Sequence, residues 1–512
     1  MRTTFIASLI AAAFSTSNAH AVDLLQVYQE ALANDAQYAS ARASLAIGQE
    51  REPQARAGLL PNVGLSGSNT RNNADTTPTG GTSSSSNYNN NAYTLSLSQP
   101  LFRWANWEQY EQGKLAAAAS QAQFAQAQQD LILRVAQAYF DVLTAQDTLA
   151  AVRAQKVATT EQLASAKRNF EVGTQTITDT HEAQARYDLI VAQEFAAQND
   201  LDIKRAALQQ IIGKPASPLA TLKTGVQLSM PVPSVIEPWV TSAEQKNYGV
   251  VGSELALESA RRDIARNRAG HYPTVDLVAS SGRNNANGGP QFTNGGRTNS
   301  TAVGIQWNIP IFAGFSVDSK VREAVAAEDK SRNDLETARR TAAQAARVSY
   351  FGVNSGLAQV KALEAAEISS QSALDSNKLG YQVGVRINID VLNAQQQLFT
   401  TRSQLAKARY DTIMNGLRLK SAAGSLKEED LSAVNALLDP AVLTTSHLID
   451  TEAPAAVVPP QVMKSVLRDV PIEYTASSQK IQLLISYTLT LPPEAFLFEK
   501  IAQVDTQDSV SK

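Results

Sequence analysis

Two kinds of hydrophobic pattern alternate along this chain. The stretches 93–98 and 303–309 alternate apolar with polar or small residues, and this period of two predicts half-exposed strands. Each is followed by about 70 residues in which apolar positions recur at steps of four and three, which predicts a long helix with a coiled-coil seam. The two seams are formed by Leu131, Val135, Ala138, Val142, Ala145, Leu149 and Val152, and by Ala346, Tyr350, Val353, Leu357 and Val360.

The same order of segments occurs twice. Three separated sequence landmarks return at nearly constant spacing: AGLLP at 57–61 as AGHYP at 269–273, PLF at 100–102 as PIF at 310–312, and VGT at 172–174 as VGV at 383–385. Such regular self-similarity indicates a structural repeat. We therefore predict a tandem duplication with copies at 22–213 and 241–424.

Each copy is predicted to contain a short helical stretch, a strand pair and two long helices. In the first copy these are 23–57, about 59–102, 103–172 and 180–213. In the second copy the strand pair is about 272–312, and the long helices are 313–382 and 391–423. Between the strands, 69–91 and 283–300 are rich in Ser, Thr, Asn and Gly, and we expect solvent-exposed loops there.

The remaining segments are shorter or less regular. Residues 214–240 are predicted to be a linker, and 425–438 one more helix, both lying around the middle of the long helices. Residues 439–512 contain many of the prolines and no sustained period, which predicts a disordered tail.

The N-terminus has the features of a secretory signal peptide. Arg2 is followed by an apolar run, 5–14, and by the small-x-small sequence Ala19-His20-Ala21, so residues 1–21 are predicted to be removed on export. Beyond this segment no run approaches the roughly 18 apolar residues of a membrane-spanning helix. If the chain crosses a membrane, it must do so with strands.

Aromatic residues near the strand ends favour that possibility, because membrane barrels carry aromatic girdles at their interfaces. They are Phe102, Trp104, Trp107, Trp307 and Phe312. Four strands cannot close a barrel, and an open edge in hydrocarbon leaves backbone groups unpaired. Two copies of the chain would give eight strands and three would give twelve, and periodicity does not choose between them.

Composition excludes several classes of function. The formal net charge is -3, so there is no electrostatic case for nucleic acid as a partner. The absence of cysteine excludes disulfides, thiol catalysis and Cys-ligated metals. The four histidines are far apart, so neither a metal site nor a cofactor is expected. A secreted enzyme would lack any recognisable catalytic motif, and a non-conducting coiled-coil stalk or adhesin would not explain the repeated strand pairs.

The motifs together resemble the TolC family of outer membrane exit ducts, and its type I secretion branch in particular. The resemblance is carried by the duplicated unit and by QPLFRW at 99–104, YQVGVRINIDVLNA at 381–394 and SAAGSL at 421–426. It implies an α+β membrane protein: a homotrimer with a 12-stranded outer-membrane β-barrel, four strands per chain, continued by a periplasmic α-helical coiled-coil barrel. The implied partners are outer membrane lipid, a periplasmic adaptor (membrane fusion) protein and an inner-membrane ABC or proton-driven transporter.

The resemblance also implies functional residues at the two helix-to-helix turns. Tyr381 and Arg386 would link to Asp179, with Thr178 beside it, and hold the periplasmic tip closed. Asp390 would contribute a ring of carboxylates to the pore constriction. Alternatively, Asp179 and Asp390 are helix N-caps, a role that is compatible with lining a pore.

One position departs from the family pattern. Asn393 stands where the family has a second ring acid, so a trimer would have three carboxylates in the ring rather than six. Since acidic rings favour cations, we expect weaker cation selectivity and weaker block by multivalent cations than in relatives with both acids. The cargo is left open between secreted protein, small toxic compounds or drugs, and ions, and a dedicated multidrug or cation efflux duct of a proton-driven pump is the alternative function.

Overall fold

A computed structural model of the chain describes residues 21–77, 79–81, 83–215, 217–223, 225–288 and 295–439. All of the described residues belong to one compact unit. The predicted signal peptide, except for its last residue, lies outside the described residues. So does the predicted tail, except for Asp439.

The repeated order of elements predicted from the sequence is present in the fold. The first repeat contains α1 (Leu24–Asn34), α2 (Ala36–Gln49), α3 (Arg51–Ala57), β1 (Asn62–Thr76), β2 (Ser84–Phe102), α4 (Trp104–Glu171) and α5 (Ile177–Ile212). The connecting segment contains β3 (Thr221–Leu222) and α6 (Glu237–Lys246). The second repeat contains α7 (Tyr248–Arg268), β4 (Thr274–Ala286), β5 (Gly296–Asn308), α8 (Ser316–Gln382) and α9 (Asn388–Ala422), followed by α10 (Glu428–Asn435) and β6 (Leu438–Asp439).

The four long strands form one antiparallel sheet in the order β1-β2-β4-β5. The central pair, β2 and β4, joins the two repeats, with Leu95 opposite Ser281. Strands β1 and β5 lie at the two edges, and no strand among the described residues pairs with their outer sides. The sheet of a single chain is therefore open at both ends.

The expectation that 69–91 and 283–300 form unpaired loops is wrong. Asn69 pairs with Asn91, and the β1–β2 ladder continues to Thr76 opposite Ser84. Strands β4 and β5 likewise remain paired as far as the end of β4. Backbone hydrogen bonds form a ladder whatever the side chains, so polar, Asn-rich and Ser-rich sequence extends the hairpins instead of interrupting them.

The two faces of the sheet differ in chemistry. Residues directly opposite one another in an antiparallel ladder share a face, and one face is predominantly apolar: Val63, Leu65, Leu95, Leu97, Leu277, Ala279, Val303 and Ile305. The other face is small or polar: Gly64, Ser66, Thr94, Ser96, Ser280, Gly282 and Ala302. Leu65 is 77% exposed and Val303 74%, so the apolar face is a band that none of the described residues covers.

The long helices form a second layer that is open in the same way. Helix α4 has 68 residues and α8 has 67, each about 100 Å at 1.5 Å per residue. Towards the chain's two helix-to-helix turns they pack in the order α5-α4-α9-α8, and towards the sheet α7 lies between α4 and α8. Most of the predicted seam residues are buried, Leu131, Val135, Ala346 and Val353 among them. None of the described helices combines the length and apolarity that a membrane-spanning helix needs.

The largest apolar cluster lies where the short helices meet the middle of α4, and we call it the equatorial core. It includes Leu24, Tyr28, Leu131, Tyr139, Phe140, Leu143, Leu208, Ile212, Met414, Leu417, Leu426, Leu431 and Leu438. The β3–β6 pair brings Leu222 opposite Leu438 and ties the connecting segment to the end of the second repeat. Asp439, the first residue of the predicted tail, is therefore part of a strand pair with Thr221.

Candidate functional site

The two helix-to-helix turns, 172–176 and 383–387, are built alike, and we call them the tip turns. In each, a glycine with positive φ ends the long helix: Gly173 at 77° and Gly384 at 78°. The residue after each glycine donates its backbone N–H back to the helix, Thr174 to the Asn169 carbonyl at 2.9 Å and Val385 to the Gly380 carbonyl at 2.9 Å. This helix ending satisfies carbonyls that would otherwise lack partners, and explains why VG recurs in both repeats.

Asp179 supports the start of α5. Thr176, not Asp179, is the N-cap residue, and Asp179 is the third residue of the helix. Its carboxylate accepts the backbone N–H of Thr176 at 3.3 Å and the Thr176 hydroxyl at 3.1 Å. The alternative that Asp179 is a helix N-cap is therefore wrong. Because the helix begins at Ile177, its N-cap lies three residues earlier, at Thr176. Thr178 beside it is exposed.

The second tip turn holds the other predicted residues. Ile387 is the N-cap residue of α9, so Asp390 lies in the first turn and is not a cap. An Arg386 Nη1 atom lies 3.6 Å from an Asp390 carboxylate oxygen, and the Tyr381 hydroxyl donates to Gln175 Oε1 at 2.8 Å. In the described part of the single chain, neither Tyr381 nor Arg386 reaches the Asp179 carboxylate. The link to Asp179 stays a prediction.

The seam between the two repeats near the tip turns contains polar contacts that sequence reasoning missed. Asn388, only 1% exposed, accepts from Gln162 Nε2 at 2.5 Å and donates to the Asp179 backbone carbonyl at 3.2 Å. One turn further on, Arg186 Nη2 donates to Asn393 Oδ1 at 3.1 Å. A polar residue at a seam position was the available signal, since buried amides are retained where they find partners.

The tip region thus contains charged and amide side chains, and few apolar residues pack next to them. The apolar clusters that the described residues form there are small, one around Leu163 and Leu392 and one around Leu374 and Leu398. Among the described residues there is no group of three His, Cys, Asp or Glu that could hold a metal ion. What the site offers is a set of charged and hydrogen-bonding side chains at a point where long helices reverse direction. Side chains of this kind, arranged around a pore, narrow it and give its lining a net charge.

The predicted interfacial aromatics lie near the junction of sheet and helices. Phe102 is the last residue of β2, whereas Trp104 and Trp107 lie in the first turns of α4. Trp307 is on β5, and Phe312 lies between β5 and α8. All five side chains are exposed, from 42% for Trp104 to 74% for Phe312. Exposed aromatic side chains next to an apolar strand band are typical of a membrane–water boundary.

A sheet with one apolar and one small or polar face, continued by long helices that pack as a coiled coil, has the architecture of an outer membrane channel. The model of the family "Outer membrane efflux protein" matches residues 27–214 and 239–425, one match for each repeat. The chain belongs to this family.

Named relatives and a solved structure agree with this assignment. The chain is 34% identical to outer membrane protein TolC of Vibrio cholerae over 81% of this chain and 94% of the relative. It is 34% identical to alkaline protease secretion protein AprF of Pseudomonas aeruginosa over 82% of this chain and 88% of that protein. The crystal structure of the outer membrane protein VceC of Vibrio cholerae superposes with a TM-score of 0.68 at 20% identity, over 78% of this chain and 96% of the other.

Family membership confirms the resemblance drawn from the sequence. The chain is an outer membrane exit duct with its helical part in the periplasm, and it is not an enzyme. Channels of the TolC family are homotrimers that pair with periplasmic adaptor proteins and inner-membrane transporters. The stalk, adhesin and enzyme alternatives are thereby excluded.

Proposed function

We propose that three copies of this chain form the exit duct of a type I secretion system, that its cargo is secreted protein, and that the tip turns form its closed periplasmic constriction. The observation that carries the proposal is the pair of open layers in one chain. The sheet exposes β1 and β5 at its edges, and the helical layer exposes α5 and α8. Both layers must be completed by neighbouring copies, since an open strand edge is not tolerated in a bilayer.

The exposed apolar side chains of the edge helices support this assembly. Phe195 on α5 is 73% exposed and Ile368 on α8 is 71% exposed. Because apolar groups of this size are favourable to bury, we assign them to contacts between α5 of one copy and α8 of the next. The same rotation would place β5 beside β1 of the neighbour with antiparallel direction, continuing the alternation of the sheet.

Protein as cargo is supported by the names of two relatives. AprF is called an alkaline protease secretion protein, and PrtF of Dickeya chrysanthemi, 30% identical over 84% of this chain, a proteases secretion protein. The family description, by contrast, names efflux. Both cargo classes fit one passage, because a duct that conveys an unfolded polypeptide is also wide enough for small molecules.

The closed constriction is assigned to contacts at the tip turns. Tyr381 with Gln175, and Arg386 with Asp390, are bonds that hold side chains in place and that an opening movement can break. In the trimer, Asp390 and Asn393 line the constriction, and Asp179 of a neighbouring turn becomes available to Arg386. An Arg can bind a carboxylate with two parallel hydrogen bonds. A pair of this kind would hold two neighbouring copies together in the closed state.

Planar-bilayer recording of the purified trimer tests the duct. We expect discrete conductance steps, and larger or longer openings for the double variant Tyr381→Phe/Arg386→Ser. Arg205→Ser, on a half-exposed position of α5 away from the tip turns, is the matched control and should leave openings unchanged. An intact trimer that conducts no ions even in the double variant would refute the proposal.

Deletion of the gene in its native cell tests the cargo. We expect one or more secreted proteins to disappear from the culture medium and to return when the gene is restored. If the medium is unchanged while the cells become sensitive to small toxic compounds, the duct serves efflux and the cargo part of the proposal is wrong.

A further inference from the structure

An arginine that no family motif singled out lies at the proposed constriction. Arg186 belongs to α5, and its Nη2 atom donates to Asn393 Oδ1 of α9 at 3.1 Å in a water-exposed contact. Among the described residues, no carboxylate lies within ion-pairing distance of this guanidinium. Even Glu182, one helical turn earlier on the same face of α5, forms no ion pair with it. Arg186 is therefore a cation held by an uncharged partner.

The position of that partner brings the charge of Arg186 next to the ring carboxylate. Asn393 follows Asp390 by three residues on α9, and side chains three apart on a helix are neighbours, with Cβ atoms about 5–6 Å apart. The side chain that binds the Arg186 guanidinium therefore belongs to the residue one helical turn from Asp390. At this separation in water, one unit charge changes the local concentration of a monovalent ion by about threefold.

The other charges near this row are already engaged. Asp390 has Arg386 within 3.6 Å, and the Asp179 carboxylate is held by Thr176. On α5, the Asp188 carboxylate accepts from the Gln184 amide at 2.9 Å. Hydrogen bonds from uncharged groups leave the charges of Asp179 and Asp188 in place. At the two positions proposed to line the opening, 390 and 393, there is one carboxylate, that of Asp390, and the guanidinium groups in contact with these two positions are those of Arg386 and Arg186.

We propose that Arg186 is a selectivity-determining residue of the constriction: its charge, held in place by Asn393, offsets the Asp390 ring and removes the cation preference that a ring of carboxylates would impose. This inference rests on the proposed function, because it requires that Asp390 and Asn393 line the opening. A constriction of this kind admits anionic groups, including the acidic side chains of a polypeptide, at lower electrostatic cost than a purely acidic ring.

The proposal changes what is expected of Asn393→Asp. A carboxylate at 393 would meet the Arg186 guanidinium at hydrogen-bond distance and would be largely neutralised by it. The single substitution should therefore shift cation selectivity little. The shift should appear in full only when Arg186 is also uncharged.

Reversal potentials in a salt gradient across a planar bilayer test this directly. Arg186→Gln keeps a side-chain amide that can donate to Asn393 but removes the charge, and we expect the cation-to-anion permeability ratio to rise about threefold. Arg186→Lys keeps the charge and should keep the ratio of the unmodified protein. Arg205→Gln removes a charge from the same helix away from the tip turns and should do the same.

The double-mutant cycle supplies the second measurement. We expect Arg186→Gln/Asn393→Asp to be more cation-selective than the sum of the two single changes in the logarithm of the permeability ratio. Channels that open normally in Arg186→Gln with an unchanged ratio would overturn the proposal while leaving the duct intact. A trimer that gives no conductance in any variant would instead refute the proposed function on which the proposal rests.

Discussion

The equatorial core and the tip turns share the long helices α4, α5 and α9 but are held together differently. At the equatorial core the helices are covered by α1, α10 and the β3–β6 pair, and large side chains such as Tyr139 and Phe140 are fully buried. At the tip turns only small apolar groups pack, and many apolar side chains stay exposed, Val383 and Val385 among them.

The polar contacts differ in the same direction. At the equatorial core, Arg134 binds the buried Asp35 carboxylate through two hydrogen bonds of 3.0 Å, and the Tyr139 hydroxyl donates to the Ala220 carbonyl at 2.7 Å. Near the tip turns most polar contacts are water-exposed or partly exposed single bonds, such as Tyr381 to Gln175 and Arg386 to Asp390, and Asn388 is the exception because it is buried and makes two bonds. Breaking the buried contacts of the equatorial core would leave polar groups without partners, whereas water can replace the exposed contacts near the tip turns. The equatorial core is therefore suited to stay assembled, and the tip turns are suited to open.

The largest difference is expected between two glycines that share the same backbone conformation. Gly424, two residues before Leu426 of the equatorial core, has φ +68°, and a Cβ there would overlap the Lys246 carbonyl oxygen. Gly384 has φ +78° with nothing within 4 Å of a Cβ. Left-handed backbone costs an alanine about 1–2 kcal/mol at either place, but only Gly424→Ala must also displace backbone. We expect Gly424→Ala to lower the free energy of unfolding by more than about 3 kcal/mol.

Denaturant titration of the purified protein in detergent, followed by circular dichroism, measures both variants. Gly384→Ala is the matched control for the backbone term alone. Equal losses in the two variants would contradict the claim that the equatorial region is the more tightly packed of the two.

The second test removes one partner of the buried ion pair. Arg134→Met keeps much of the apolar stem but leaves the Asp35 carboxylate, 5% exposed, without its cation. Leaving a buried charge unpaired costs about 3 kcal/mol, and we expect a loss of about that size in the same titration. Arg340→Met removes an exposed i,i+4 ion pair from α8 and should change stability by less than about 0.5 kcal/mol. A comparable loss of unfolding free energy in both variants would show that the Arg134–Asp35 pair contributes no more to stability than an exposed ion pair.

A third, smaller effect concerns pH. Burial raises the pKa of the Asp147 carboxyl above its usual range, although the Tyr410 hydroxyl, donating at 2.7 Å, and the Arg409 charge lower it. A raised pKa means that the folded state binds the proton more tightly than the unfolded state. The stability from this group is therefore complete below the usual carboxyl pKa, about 3.9, and is lost as pH rises through the raised value.

Asp147→Asn should remove this dependence while keeping an acceptor for Tyr410. We expect the variant to gain stability relative to the unmodified protein as pH rises from acidic to neutral, measured as the difference between their unfolding free energies at each pH. The exposed Asp202→Asn, on α5, serves as control. A difference that is independent of pH would show that the Asp147 proton is not linked to folding.

Sequence reasoning found the repeat and the long helices because those depend on periodicity, which local residues determine. It assigned the Asn-rich and Ser-rich segments to loops because composition reports exposure to water and not backbone pairing, and β1 and β2 pair through them. The tip residues Tyr381, Arg386 and Asp390 were reached through family resemblance. Arg186 and Asn388 were not reached, because their partners lie about 200 residues away in the sequence and no local pattern encodes such a contact.

The smallest expected effect on stability comes from the tip turns, where it should be accompanied by the clearest effect on opening. Tyr381→Phe removes the one hydrogen bond from the Tyr381 hydroxyl to Gln175, and an exposed or partly buried bond of this kind contributes about 1 kcal/mol or less. The unfolding free energy should therefore hardly change, whereas bilayer recordings should show more frequent opening. Tyr187→Phe, on the neighbouring helix α5 and packed beside Leu163 and Leu392, removes a hydroxyl for which the described residues provide no hydrogen-bond partner and should change neither quantity. If Tyr381→Phe instead destabilises the protein as much as Arg134→Met does, the tip turns contribute to the stability of the fold as the equatorial core does. The difference between an equatorial core that stays assembled and tip turns that open then does not hold.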